Sequence, residues 1–154
     1  MSFLDDMIDK VSEEGNRHGD DVSPQGHERL DAILSEMLDD CGDLSGAMVS
    51  ASDGRALAQR LQSGLDKHRF AAMSSALLAL SDNVIRETHG GEIKNVLIQS
   101  DDGNVFILHA GSGLLLTVFS RPDANLGMSL AHANKGATDI AALNLHPDGQ
   151  RETA

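Results

Sequence analysis

Three short apolar segments, separated only by turn residues, are the clearest pattern along the chain. They span Ile93–Ser100, Val105–Ala110 and Leu114–Phe119, with Asp101-Asp102-Gly103 and Gly111-Ser112-Gly113 between them. Because glycine readily adopts the positive φ that tight turns need, this pattern predicts a three-stranded antiparallel meander. The segments are apolar on both faces in places, so we expect other elements to cover both sides of the sheet.

A helix and a hairpin are predicted before the meander. Apolar residues recur at helical spacing over His27–Asp40, and Gly42 follows as a stop signal. The apolar run Gly46–Ala51, the turn Ser52-Asp53-Gly54 and the alternating run Arg55–Leu61 then favour two paired strands.

A long helix is predicted from Asp66, a good N-cap, to about Thr88. Two apolar stripes run along it, formed by Phe70, Met73, Leu77, Leu80 and Val84 and by Ala71, Ser74, Leu78 and Ile85. A helix with so wide an apolar surface packs on two sides, so one side would cover the sheet and the other could contact a partner. A final helix is expected to begin at Pro122-Asp123, with Gly136 allowing a close contact.

The first 25 residues differ from the rest, with seven acidic residues against Lys10 and Arg17. An apolar helical stripe is formed here by Phe3, Leu4, Met7, Ile8 and Val11. We therefore divide the chain into an acidic N-terminal tail (1–25) with a short amphipathic helix, one domain (26–145) and a disordered C-terminal tail (146–154). The N-terminal helix is either a frayed end or a peptide that docks on its own domain or on a partner.

Composition limits the classes of function. The net charge of −12 disfavours binding to nucleic acid or anionic lipid. The aromatic residues are four Phe, with no Tyr or Trp, so stacking on bases is not expected. A single cysteine, no basic and apolar leader, and no apolar run of membrane-spanning length favour a soluble cytoplasmic protein.

Candidate catalytic chemistry is sparse. None of the seven histidines has a partner at metal-binding spacing, and the acidic residues flanking Cys41 disfavour a reactive thiolate. Gly111-Ser112-Gly113 joins two strands rather than a strand and a helix, so it is not a phosphate-binding loop. His109 is expected to be structural. The sequence therefore predicts no catalytic, metal or cofactor site.

The order of these elements resembles the Roadblock/dynein light chain family over residues 27–143. The matching segments are Gly46–Gly54, the alanine-rich helix from Phe70, Gly103 with Val105–Leu108, Leu114–Val118 and Asn125–Met128. The resemblance implies an α/β sandwich of the profilin and roadblock type. In that fold a five-stranded antiparallel sheet has the long helix on one face and the other two helices on the opposite face.

The resemblance also implies a function. Family dimers pair the strand that corresponds to residues 92–99 and set their long helices side by side. Mgl-type members bind one small Ras-like GTPase and accelerate GTP hydrolysis by rearranging the GTPase's own residues, whereas other members are scaffolds. The predicted dimer interface comprises Met73, Leu77, Leu80, Val96, Leu97 and Ile98. The predicted GTPase contacts are Lys67, Arg69, Ser74, Asp82 and Arg86. A structural scaffold and a profilin-like domain that binds a small ligand remain the alternatives.

Overall fold

The computed structural model describes Asp5, Ile8 and residues 22–145. Within residues 22–145 the elements are α1 (Pro24–Asp40), β1 (Leu44–Ala51), β2 (Ala56–Arg60), α2 (Lys67–Thr88), β3 (Val96–Ser100), β4 (Gly103–His109), β5 (Leu114–Ser120) and α3 (Leu126–Ala141). Residues 1–21 apart from Asp5 and Ile8, and the predicted C-terminal tail, lie outside the described residues.

The five strands form one antiparallel sheet in the order β2-β1-β5-β4-β3. Helix α2 packs on one face, and α1 and α3 pack together on the other. The predicted sheet, with one long helix on one face and two helices on the opposite face, is confirmed. Strands β3, β4 and β5 are the predicted meander.

Alternation of side chains along the strands creates two apolar layers. On β5, Leu114, Leu116 and Val118 join the main core under α1 and α3, whereas Leu115 packs with Leu78 of α2. Because both faces are covered, the strands carry the nearly continuous apolar runs seen in the sequence.

Two glycines act as the sequence predicts. Gly54 has a φ of 94° in the turn between β1 and β2, and its N–H donates to the Ala51 carbonyl oxygen at 2.9 Å. Gly136 lies where a Cβ would be 2.9 Å from Met37 Sδ and 3.4 Å from Leu116 Cδ2, so α3 approaches both α1 and the sheet closely.

Three element boundaries differ from the prediction. Helix α1 begins at Pro24, with the Ser23 hydroxyl as its N-cap, so it includes residues assigned to the tail. Strand β3 begins at Val96 rather than Ile93, because Ile93 packs under α2 before strand pairing starts. Helix α3 begins at Leu126, because Asn125 rather than Asp123 provides the N-cap.

Candidate protein interface

Strand β3 is an apolar edge of the sheet. It pairs with β4 on one side, and no strand within the described residues pairs with its other side. Leu97 is 41% exposed and Ile98 is 39% exposed. Unpaired backbone N–H and C=O groups beside exposed apolar side chains form a template for pairing with another chain.

The register of β3 joins this edge to α2. Val96 lies opposite Ile107, and Ile107 packs with Leu78 of α2, so Val96 lies on the α2 side of the sheet. Ile98 shares that side, since successive strand side chains alternate between faces. Leu77 of α2 packs against the same cluster as Val96. The helix and the edge strand therefore form one surface.

We call this the α2–β3 surface and define it by Met73, Leu77, Leu80, Val84, Val96 and Ile98. Leu97 lies opposite Phe106, whose side chain is in the core under α1 and α3, so Leu97 is on the other face of the edge strand. Val84 is 54% exposed, whereas Met73, Leu77 and Leu80 are partly buried. The structure thus places five of the six predicted dimer residues on this surface and Leu97 on the opposite face of β3, and it adds Val84, which lies on the apolar stripe of Leu77 and Leu80.

Charged side chains lie at both ends of α2. Lys67 and Arg69 are exposed in its first turn, where Asp66 Oδ1 accepts hydrogen bonds from the backbone N–H groups of His68 (3.0 Å) and Arg69 (3.2 Å). This N-cap fixes where the helix starts and hence where the two cations lie.

The other end of α2 lines a cleft of about 500 Å³ next to the β4–β5 turn. Asp82 and Arg86 line it together with Glu92 and His109, so the cleft carries both signs of charge. His109 Nε2 lies 3.4 Å from Asp82 Oδ2, and both side chains are partly exposed. The expected structural role of His109 stays a prediction, and its side chain lies at this charged cleft beside Asp82.

Ser74 does not belong to the exposed surface. It is 1% exposed, so it cannot contact a partner in this structure, and that part of the prediction is wrong. Sequence periodicity placed it on a second stripe of α2, but this stripe is the one that faces the sheet.

Sequence reasoning missed the pairing of Asp82 with His109 and the part that Glu92 plays in the cleft. These residues come from α2, β4 and the loop between α2 and β3. No local spacing signals such a set, because the fold alone brings these segments together.

Groups suited to catalysis are few in the described part of the chain. No cluster of three or more His, Cys, Asp or Glu residues among the described ones could hold a metal ion. Cys41 is buried at the C-cap of α1. Lys135 is exposed on α3 and donates to Asp139 Oδ2 at 3.1 Å, and this carboxylate raises the lysine pKa above its ordinary value. None of the described helices is both long and apolar enough to span a membrane.

Comparisons with known proteins agree with this architecture. Two uncharacterized proteins of Methanocaldococcus jannaschii are each 27% identical over 114 residues, covering 74% of this chain and 98% of theirs. A structure of MglB in a tetrameric arrangement aligns with a TM-score of 0.72 and 18% identity, covering 79% of this chain and 91% of that one. A Roadblock/LC7 domain from Streptomyces avermitilis aligns with a TM-score of 0.67 and 21% identity, covering 73% and 95%.

The family assignment rests on the sequence over the core of the domain. The model of the Roadblock/LC7 domain matches residues 30–120, from the first turns of α1 to the end of β5. This region contains α2, β3 and the charged ends of α2. The chain belongs to the Roadblock/LC7 family.

Proposed function

We propose that this protein is a non-enzymatic homodimer that regulates, or serves as an adaptor for, a small Ras-like GTPase. The observation that carries the proposal is the α2–β3 surface, where the apolar edge strand β3, whose outer side pairs with no strand of the described residues, shares a cluster with the long helix. Family membership supports it, because the Mgl-type proteins that the sequence resembles act in this way.

A dimer would pair the outer backbone groups of β3 and cover its exposed apolar side chains. Pairing two copies of β3 about a two-fold axis satisfies the outer backbone groups of both strands and covers Leu97 and Ile98. The same axis sets the two α2 helices side by side, so that Leu80 and Val84 gain apolar neighbours. The exposed apolar edge is thereby protected from uncontrolled aggregation.

The GTPase would bind across the paired α2 helices. We assign the contacts to Lys67 and Arg69 at one end of α2 and to Asp82 and Arg86 at the other. Because these side chains carry both signs of charge, they favour a partner surface of complementary charges, and such complementarity mainly controls specificity and the rate of association.

The dimer is tested by the double substitution Leu97→Glu with Ile98→Lys. It places opposite charges on the edge strand without changing the net charge, so we expect a monomer in sedimentation equilibrium. The matched control is Met128→Glu with Leu65→Lys, at apolar residues that are 55% and 47% exposed and lie outside β3. A double variant that stays folded and dimeric would rule out this interface.

The partner is tested by affinity purification from native lysate, with a GTP analogue in one sample and GDP in the other. A small GTPase enriched only with the GTP analogue supports the proposal. That GTPase is then purified, and its affinity for the wild-type protein and its rate of GTP hydrolysis in the presence of that protein are measured. Equal recovery in both samples favours a scaffold, and the absence of any GTPase contradicts the proposal.

The assigned contacts are tested with the same purified GTPase. Arg69→Glu with Arg86→Glu should weaken binding while leaving the dimer intact, because both arginines are exposed at the ends of α2. Arg29→Glu with Lys135→Glu is the control, since both side chains are exposed on α1 and α3, the helices on the opposite face of the sheet from α2. Equal binding by the two proteins would place the GTPase elsewhere.

A further inference from the structure

The N-terminal part of the chain makes a buried contact with α2. Ile8 lies in helical backbone and is 7% exposed. Its cluster contains Ala72 and Ala76, each 0% exposed, and the partly buried Met73. Asp5, which is also in helical backbone, is exposed.

The sheet does not account for the burial of these alanines. Leu78 points to the sheet, where it packs with Ile107 and Leu115. Side chains two positions apart on an α-helix point about 200° away from each other, so Ala76 points almost opposite to Leu78. An alanine on that side is expected to be exposed, as Ala79 is. Ile8 is the buried residue that packs over it.

We infer that the N-terminal segment that carries Ile8 docks through this residue on the outer face of α2 and must leave before a second copy of the chain can pack there. The inference rests on the dimer of the proposed function. Ile8 is the anchor, since it is buried against Ala72, Ala76 and Met73 of α2.

The docked segment and the α2 helix of a second copy would compete for the same site, because Met73 belongs both to the α2–β3 surface and to the Ile8 cluster. Residues three, four and seven apart share a helix face, so Met73, Leu77, Leu80 and Val84 form one continuous stripe. Its N-terminal end is covered by Ile8, whereas Val84 at its C-terminal end is exposed. A second α2 laid along the whole stripe would collide with the segment.

The charges of the N-terminal region and of α2 also favour docking of this segment on α2. The first 25 residues carry seven acidic side chains against two basic ones. Lys67 and Arg69 are exposed on α2 within about one turn of Ala72 and Met73. Attraction between exposed opposite charges is screened by salt. Raising the ionic strength should therefore release the segment and strengthen dimerisation.

The docked position is tested in the full chain with Ile8→Cys and Ala76→Cys. Mild oxidation converts the two thiols to a disulfide only when the segment lies on α2, and peptide mass spectrometry identifies the 8–76 link. The same protein under reducing conditions is the matched control. We expect the oxidised protein to dimerise at least roughly tenfold more weakly than the reduced protein, because the competent open state is depleted.

A second pair of variants moves the equilibrium the other way. Ile8→Asp places a charge at the anchor and should strengthen dimerisation. Ser2→Asp adds the same charge at a position outside the apolar stripe of the sequence, so it should behave as wild type. Both are measured by sedimentation equilibrium at the same salt concentration.

These experiments distinguish failure of the docking inference from failure of the proposed dimer. If no 8–76 disulfide forms, or if the oxidised, reduced and Ile8→Asp proteins dimerise equally, the inference is overturned and the dimer is retained. If all of these proteins remain monomeric, the proposed dimer fails, and the inference fails with it.

Discussion

The hydroxyl of Ser75 on α2 donates a hydrogen bond to the carbonyl oxygen of Ser52 in the turn between β1 and β2. Ser75 is 5% exposed, so the bond lies largely out of water. It fixes α2 to the hairpin at the level of Ala72 and Ala76, the residues that Ile8 covers.

Ser75→Ala should lower the free energy of unfolding by about 1 kcal/mol, because it removes this bond and leaves a carbonyl acceptor without its partner. Urea denaturation measures the change. Ser74→Ala is the matched control, since the buried Ser74 hydroxyl makes no hydrogen bond among the described residues. Equal losses from the two substitutions would show that the Ser75 bond contributes nothing specific.

Thr117→Val should raise the free energy of unfolding by about 1 kcal/mol, because the fully buried Thr117 hydroxyl has no hydrogen-bond partner in the described structure. Calorimetry would detect the change as a higher Tm. Thr138→Val is the control, since Thr138 is exposed and its hydroxyl donates to the Asn134 carbonyl oxygen at 2.9 Å. A lower Tm for Thr117→Val would contradict this account of the layer between α2 and the sheet.

Gly54→Ala should destabilise the protein by about 1–2 kcal/mol, because Gly54 has a φ of 94° and a Cβ is strained in that conformation. Gly42→Ala is the control, since a Cβ there would meet no atom within 4 Å. Chemical denaturation of both variants provides the comparison. A tolerated Gly54→Ala would imply that the hairpin turn can relax to another type.

Asn125→Ala should cost about 1 kcal/mol, because Asn125 Oδ1 accepts a hydrogen bond from the Met128 backbone N–H at 2.9 Å and caps α3. The control is Asp123→Ala, which alters an exposed residue before the cap. Thermal unfolding followed by circular dichroism measures both. If Asp123→Ala has the larger effect, α3 begins where the sequence pattern first suggested.

Asp139→Asn should lower the pKa of Lys135, because the Asp139 carboxylate raises it above 10.5. A raised lysine pKa stabilises the fold below the unfolded value, and this contribution disappears as the pH rises through the folded pKa, so the loss of this contribution with pH lies in the alkaline range. An NMR titration of Lys135 in the two proteins tests the shift. At neutral pH, where this contribution is present, the substitution should lower stability only slightly, since both side chains are exposed to solvent.

Local patterns predicted most of the fold. The N-cap at Asp66, the turn at Gly54 and the end of α1 at Asp40 were found because capping and turn chemistry act over a few neighbouring residues. The start of β3 was misplaced because Ile93 is apolar for packing under α2 rather than for strand pairing. The start of α3 was misplaced because Arg121 and Ala124 close a turn first, through a backbone hydrogen bond of 3.1 Å.

The sequence by itself determined the order of the elements, the apolar stripes and the resemblance to a family, since each depends on the spacing of neighbouring residues. Tertiary structure alone decided that Ser74 is buried, that Asp82 meets His109 and that Ile8 lies on Ala72 and Ala76. These outcomes depend on which side of α2 faces the sheet and on contacts between distant segments. The spacing of apolar residues indicates that α2 has two apolar sides, but only tertiary packing decides what covers each of them.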